Sequence, residues 1–124
     1  MRNIIIILFL AAGVLLTSCG EKQIAKNTIK EFLKAGIAFN GDKQDYSIGS
    51  FGEIDSTKYV TDAVINSMHV NADKDKNFKS TLLYWKHTNG EQLKYITVKM
   101  TINDVDTAYT FYLTNDMMKV VAFK

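Results

Sequence analysis

A chain of 124 residues with 47% hydrophobic and 23% charged side chains has the composition of one globular domain, too apolar for a disordered chain. Fifteen basic residues against 13 acidic ones leave it near neutral, and Arg2 is its sole arginine. Bidentate recognition of phosphate or guanine is arginine chemistry, so nucleic acid is excluded from the expected partners.

Arg2 gives a short basic start, Ile4 to Leu16 an apolar run of 13 residues, and Thr17 and Ser18 a small polar exit. That order is the pattern of a secretory signal peptide. A bilayer-crossing helix needs roughly 20 apolar residues, so a cleaved segment is expected here, an uncleaved anchor being the alternative. The A-x-A-like exit of ordinary signal peptidase is missing at this boundary. Leu16-Thr17-Ser18-Cys19 instead resembles a lipobox, the processing signal of bacterial lipoproteins. The resemblance implies cleavage before Cys19, a diacylglycerol thioether on its sulfur and an acylated amino group, typically with palmitate. One acyl chain, at about 0.8 kcal/mol per buried methylene, binds a membrane only marginally, whereas two or three hold it stably. Cys19 is the only cysteine, so the folded part contains no disulfide. The expected division is a signal peptide over 1–18, a lipidated cysteine with a short tether over 19–23, and a single domain over 24–124. The expected partners are the membrane, through lipidated Cys19, and an unidentified protein or small molecule. Gly20 follows the cysteine in place of the aspartate that retains lipoproteins in some inner membranes. The expected address is therefore the outer membrane of a cell envelope, with the periplasmic or surface side left open.

The apolar spacing predicts a helix over Gln23 to Phe39, with Ala25, Ile29, Phe32, Leu33, Gly36, Ile37 and Phe39 near one face and Asn40-Gly41 as its stop. Lys22, Lys26, Lys30 and Lys34 line the other side, either as a solvated face or against anionic headgroups at up to about 1 kcal/mol each. Tyr46 to Ile54 reads as a strand in which Gly49 and Gly52 imply a bulge or a close backbone approach. Asp55-Ser56-Thr57 reads as a break. Lys58 to Ala72 fits both periods, and Asp62 as N-cap favours a short helix over Ala63 to Val70. Asp73 to Asn77 is a charged loop.

Four strands are predicted after that, over Phe78 to Thr88, Leu93 to Ile102, Thr107 to Thr114 and Met117 to Phe123. Asn89-Gly90 is a hairpin signal, Asn103 to Asp106 a second link and Asn115-Asp116 a tight third one. Such short links allow only antiparallel neighbours. Ile96, Val98, Met100 and Ile102, with Tyr109, Phe111 and Leu113, form a dry face. Tyr95, Thr97, Lys99, Thr101, Thr110, Tyr112 and Thr114 form a wet one. The fold class expected is α+β: an N-terminal amphipathic helix packed on a curved, mostly antiparallel sheet.

The order of lipobox, helix, Tyr-Ser strand, second helix and hairpin meander is similar to small Bacteroidetes-type lipoproteins of unknown function. The segments "DYSIGSFGEIDS" and "YTFYLTNDMMKVVAF" carry that resemblance. The architecture also resembles cystatin-like and NTF2-like folds, in which a sheet wraps a helix. The glycine-rich middle turn common in these lipoproteins is replaced by Asn103-Asp104-Val105-Asp106. A likeness of fold carries no activity with it.

No reaction is legible. "DKDKNF", Asp73 to Phe78, begins like a calcium loop but has Phe78 at the glycine position and Tyr84 at the closing glutamate position. His69 and His87 are far apart and lack a second cysteine, so no metal centre and no cofactor are expected. "GSFG", Gly49 to Gly52, is not a nucleophile elbow. The expected site is a partner-binding surface at Tyr95, Lys99 and Tyr112, because tyrosines on a wet face are recognition chemistry or packing. A small enzyme of NTF2-like type, with a histidine beside an acid in a pocket, and an inhibitor or immunity-type protein are the alternatives.

Overall fold

The computed structural model describes residues 20–124, so the signal peptide over 1–18 and the lipidation of Cys19 lie outside the described residues. Among the described residues the fold is α+β, with two helices and an open, antiparallel sheet of five strands.

Helix α1 occupies residues 20–36. Ala25, Ile29 and Leu33, spaced four apart, are fully buried, as is Ile37 just beyond the helix. Two expectations are corrected here. The segment expected to be a tether is already helical at Gly20, and the helix stops at Gly36 rather than Phe39. Its end is set by tertiary pairing: Ala38 N donates to Asn77 O at 2.9 Å and Lys79 N to Gly36 O at 2.7 Å. A side chain at Gly36 would meet Leu82 Cδ2, the end of a flexible side chain, so a larger residue there would have to displace Leu82. The Gln44 amide closes the frayed end by donating to Lys34 O and Ile37 O, both at 2.8 Å. Asn40-Gly41 forms a separate turn after the helix, with Gly41 at φ 71°.

Strand β1 (Tyr46–Phe51) runs antiparallel to β3 (Leu93–Ile102), and its register shifts between Ile48 and Ser50. The bulge read from Gly49 is therefore present. At Gly49 a Cβ would lie 3.2 Å from Lys99 O. The predicted strand ends three residues early, and the expected break is itself strand β2 (Asp55–Thr57), which pairs with Leu93 to Tyr95. Strand β3 thus carries β1 and β2 end to end along one edge.

Helix α2 spans Asp62–Lys74, longer than the Ala63 to Val70 expected. Thr61, not Asp62, is the N-cap, its hydroxyl accepting from Val64 N at 3.3 Å. Ile65, Met68 and Ala72 are its buried stripe. Ala72 holds the last turn in the core, which is why the helix continues past Val70.

Residues Phe78 to Thr88 are not a strand. The segment makes one bridge, Phe78 to Ile37, and beyond Lys79 its one backbone bond to the sheet is Trp85 N to Val120 O at 2.8 Å. A hairpin about Asn89-Gly90 would need an edge of β3, and both are taken: one by β1 and β2, the other by β4 (Val105–Leu113). The link from β3 to β4 is the two-residue turn Asn103-Asp104, with φ 50° and 66°, so Val105 and Asp106 already belong to the strand. Strand β5 (Val120–Phe123) starts three residues later than expected. The Asp116 carboxylate gathers the wider turn, accepting from Thr114 Oγ1 at 2.6 Å and Met118 N at 3.0 Å, while Met117 drops into the core at φ 63°.

The sheet has an apolar cluster on each side. Ile96, Val98, Met100, Ile102, Tyr109, Phe111 and Leu113 share one cluster with the stripe of α1. Leu93, Tyr112, Val121 and Ala122 share the other with Ile65 and Met68 of α2. The expectation that the second face is wet throughout is corrected: its β5 end is dry, because Leu93, Val121 and Ala122 turn that way and α2 covers them.

Candidate functional site

The sequence-predicted surface is divided by that cover. Tyr95 and Tyr112 are cross-strand partners with ring centroids 5.5 Å apart. Tyr112 is nonetheless only 9% exposed, seated in the α2 cluster with Lys124 Nζ 5.8 Å from its ring centre. It lies on the face assigned to it, but where that face is closed. Tyr95 is half-buried at the margin, and Lys99 stands in the open half. There Thr97 and Thr110 hydroxyls meet at 2.9 Å, and Thr101 donates to Asp106 at 2.9 Å. Gly49, Ser50, Lys99, Thr101 and Ala108 line a shallow hollow of about 480 Å³. The structure thus brings Tyr95 to Tyr112 and leaves Lys99 apart from them.

The two histidines, distant in sequence, meet at one hollow of about 290 Å³ between α2 and residues 84–87. His69 Nε2 lies 2.8 Å from Val121 O and so carries the proton, and its ring stacks on Tyr84 with centroids 3.9 Å apart. His87 Nδ1 lies 3.2 Å from Asp62 Oδ1. An acid–histidine pair is the skeleton of a general base. A general base must also reach its substrate, and here the His87 side chain is 1% exposed and its Nε2 is buried without a partner. No serine, threonine or cysteine lines the hollow. Among the described residues no group of three or more His, Cys, Asp or Glu is placed to hold a metal ion. The pair instead ties the segment to the first turn of α2, where Asn89 Oδ1 also accepts from Asp62 N at 3.0 Å.

Tyr84, between these histidines, has its hydroxyl buried without a partner. Burial, helped by the negative charge of Asp73, pushes its pKa up to about 12. The Asp73–Phe78 loop is likewise structural. Asp75 accepts from Tyr109 Oη at 2.7 Å and from Asn77 N at 2.9 Å, closing the end of α2.

One feature was missed by sequence reasoning. Leu83 is 88%, Trp85 54% and Met118 61% exposed, and all three line one groove of about 290 Å³ with Thr28 and Phe32 of α1. Lys119 Nζ stands 5.6 Å from the Trp85 ring centre. Trp85, Met118 and Lys119 also border a second hollow of about 440 Å³, with Glu91, Asn115 and Asp116. The signal was present as the run Leu82-Leu83-Tyr84-Trp85. A single extended segment has alternating sides, so four large apolar residues in a row send two outward.

No protein-family model matches the chain, and neither the curated proteins nor the solved structures include a match to it.

Proposed function

We propose that this chain is a lipid-anchored module of the cell envelope, held to the outer membrane through Cys19, that binds a protein or small-molecule partner. The observation that carries the reading is Leu16-Thr17-Ser18-Cys19 placed directly after an apolar run too short to span a bilayer. Two features support it. Among the described residues no helix is long and apolar enough to cross a membrane, which leaves attachment to the N-terminal segment. The open half of the sheet, with Tyr95, Thr97 and Lys99, offers a polar, aromatic-edged surface and no reactive group. The architecture we favour is cystatin-like or NTF2-like, on the strength of the α1 stripe sharing a core with the meander. Helix α2 on the opposite face is its departure from that plan.

The test is mass spectrometry of the chain recovered from membranes. A mature N-terminus at Cys19 carrying a diacylglycerol thioether is the expected result, and Cys19→Ser should release the chain from the membrane fraction. An unmodified Cys19 thiol removes the reading. For the binding surface, Tyr95→Ala with Lys99→Glu should abolish partner capture without loss of fold. Tyr112→Ala does not serve, because it opens a cavity beneath α2.

A catalytic reading has the Asp62–His87 pair in its favour and the shielding of His87 Nε2 against it. Hydrolase activity abolished by His87→Gln in a chain that still folds would restore it.

A further inference from the structure

We propose that Leu83, Trp85 and Met118 form a bilayer-contact patch that lays the domain on the membrane carrying its anchor. The inference rests on the reading of Cys19 as the lipidated residue.

Three observations converge on a lipid surface as the occupant. The first is reach. Cys19 is joined directly to Gly20, and Gly20 is already helical, so no slack chain separates the acyl groups from the domain. At 1.5 Å of rise per residue, Ile24 stands about 6 Å and Thr28 about 12 Å along α1 from Gly20. Thr28 Oγ1 donates to Met117 O at 2.7 Å, which pins the Met118 loop against the middle of α1, about 12 Å from Gly20. The second is continuity. Ile24 is 43% exposed and lies one turn before Thr28, which itself lines the groove with Leu83 and Trp85, so an exposed apolar side chain stands between the anchor and that groove.

The third is chemistry. Tryptophan is enriched at membrane–water interfaces, where its amphipathic ring sits at headgroup level. Lysines beside such a ring can reach phosphates with their tips while their stems stay on apolar surface. Lys119, over Trp85, is placed for that. Glu91 and Asp116 border the neighbouring hollow that Trp85, Met118 and Lys119 also line, so the side marked by Leu83, which lies outside that hollow, is the one that faces lipid. A tetherless anchor forces some surface close to the headgroups, and this is the apolar surface near the attachment point.

Trp85 is the only tryptophan, so the chain carries its own probe. The lipidated chain would be reconstituted into vesicles of phosphatidylethanolamine and phosphatidylglycerol, with and without acyl chains brominated near the headgroup. The expected result is a blue-shifted Trp85 emission, quenched by the brominated lipid and protected from aqueous iodide. Leu83→Asp with Met118→Asp should abolish the quenching while the chain still floats with the vesicles and keeps its circular dichroism. A chain that floats but whose Trp85 ignores brominated lipid and is quenched by iodide overturns the patch and leaves the anchor standing. A blue shift that grows with protein density but not with brominated lipid means that a second copy covers the patch, and overturns it too. A chain that does not float overturns the anchor reading and this inference together.

Discussion

Two turns of this chain carry almost the same chemistry and do different things. Asn103-Asp104 closes the β3–β4 hairpin, with both residues left-handed and nine consecutive residue pairs behind them. Asn89-Gly90 also turns, with Gly90 at φ 82° and Glu91 N donating to Thr88 O at 3.0 Å, but no ladder stands behind it. Turn residues decide only the local reversal. Pairing is decided by which strand edges are free, and β3 has none left for residues 78–88. Those residues became a strap across the outer side of β5, anchored by side chains (His69, His87 and Tyr84) rather than by a backbone ladder.

The largest effect should therefore come from the hairpin's core. Phe111 is fully buried and meets Phe32 and Phe123 at centroid distances of 6.0 and 5.6 Å. Phe111→Ala should cost about 3–5 kcal/mol in a urea melt. A loss near that of an exposed residue would mean that the hairpin is not what holds the fold.

The second effect separates the regions by pH. Tyr84, in the strap, and Tyr109, in β4, both have pKa values raised from 10.0 to about 12, Tyr84 by burial and the charge of Asp73, Tyr109 by burial foremost and by the Asp75 carboxylate. A phenol whose folded pKa is raised favours the folded state in its neutral form. The stability it contributes is complete below pH 10 and is lost as pH rises through about 12. Denaturant melts across that window should show steepening alkaline loss, and Tyr84→Phe and Tyr109→Phe should each remove part of it. Absorbance titration should find Tyr84 and Tyr109 still largely protonated when pH passes 11. If Tyr84→Phe leaves the titration unchanged, the strap does not seal that hydroxyl from water.

How much of this was legible follows the range of the forces involved. Strand β3 was readable to its end residues because Ile96, Val98, Met100 and Ile102 alternate without interruption, and the bulge at Gly49 because a glycine inside a strand marks a bulge or a close backbone approach. Strand β2 was not, since Asp55-Ser56-Thr57 has turn composition and becomes a strand only by taking the remaining edge of β3. The dry end of the second face was missed because Leu93 and Val121 carry that parity but were not counted with it. The exposed patch was hidden for a similar reason: Trp85 and Met118 lie on separate loops, brought together by Trp85 N on Val120 O. The Asp62–His87 contact depends on the same fold-back. Cys19, by contrast, is a feature of local sequence alone.

A third effect tests the claim that the turns are locally alike. Asp104 holds φ 66° without being glycine, so Asp104→Val should cost about 1–2 kcal/mol, the ordinary penalty for a left-handed residue with a bulky branch. Gly90→Ala should cost about 1 kcal/mol by the same argument. Amide exchange would distinguish what each loss does. Asp104→Val should raise exchange along β3 and β4, and Gly90→Ala should raise it only around residues 85–92. Equal spread from both would mean that the strap and the hairpin unfold as one unit.

The smallest effect is the most informative about the strap's outer side. Leu83 is 88% exposed, so Leu83→Ser removes almost no buried area and should change stability by under about 0.5 kcal/mol. On the inner side, Tyr84→Ala should cost several times more, since its ring stacks on His69 and lies 5.9 Å from Phe32. Both changes are read in the same urea melt of the chain in detergent, away from any bilayer. A large apolar side chain that stability does not require, on a segment whose next residue it does, is there for something outside the fold. If Leu83→Ser instead costs as much as Tyr84→Ala, Leu83 packs within the domain, and the case for a membrane-facing patch loses its premise.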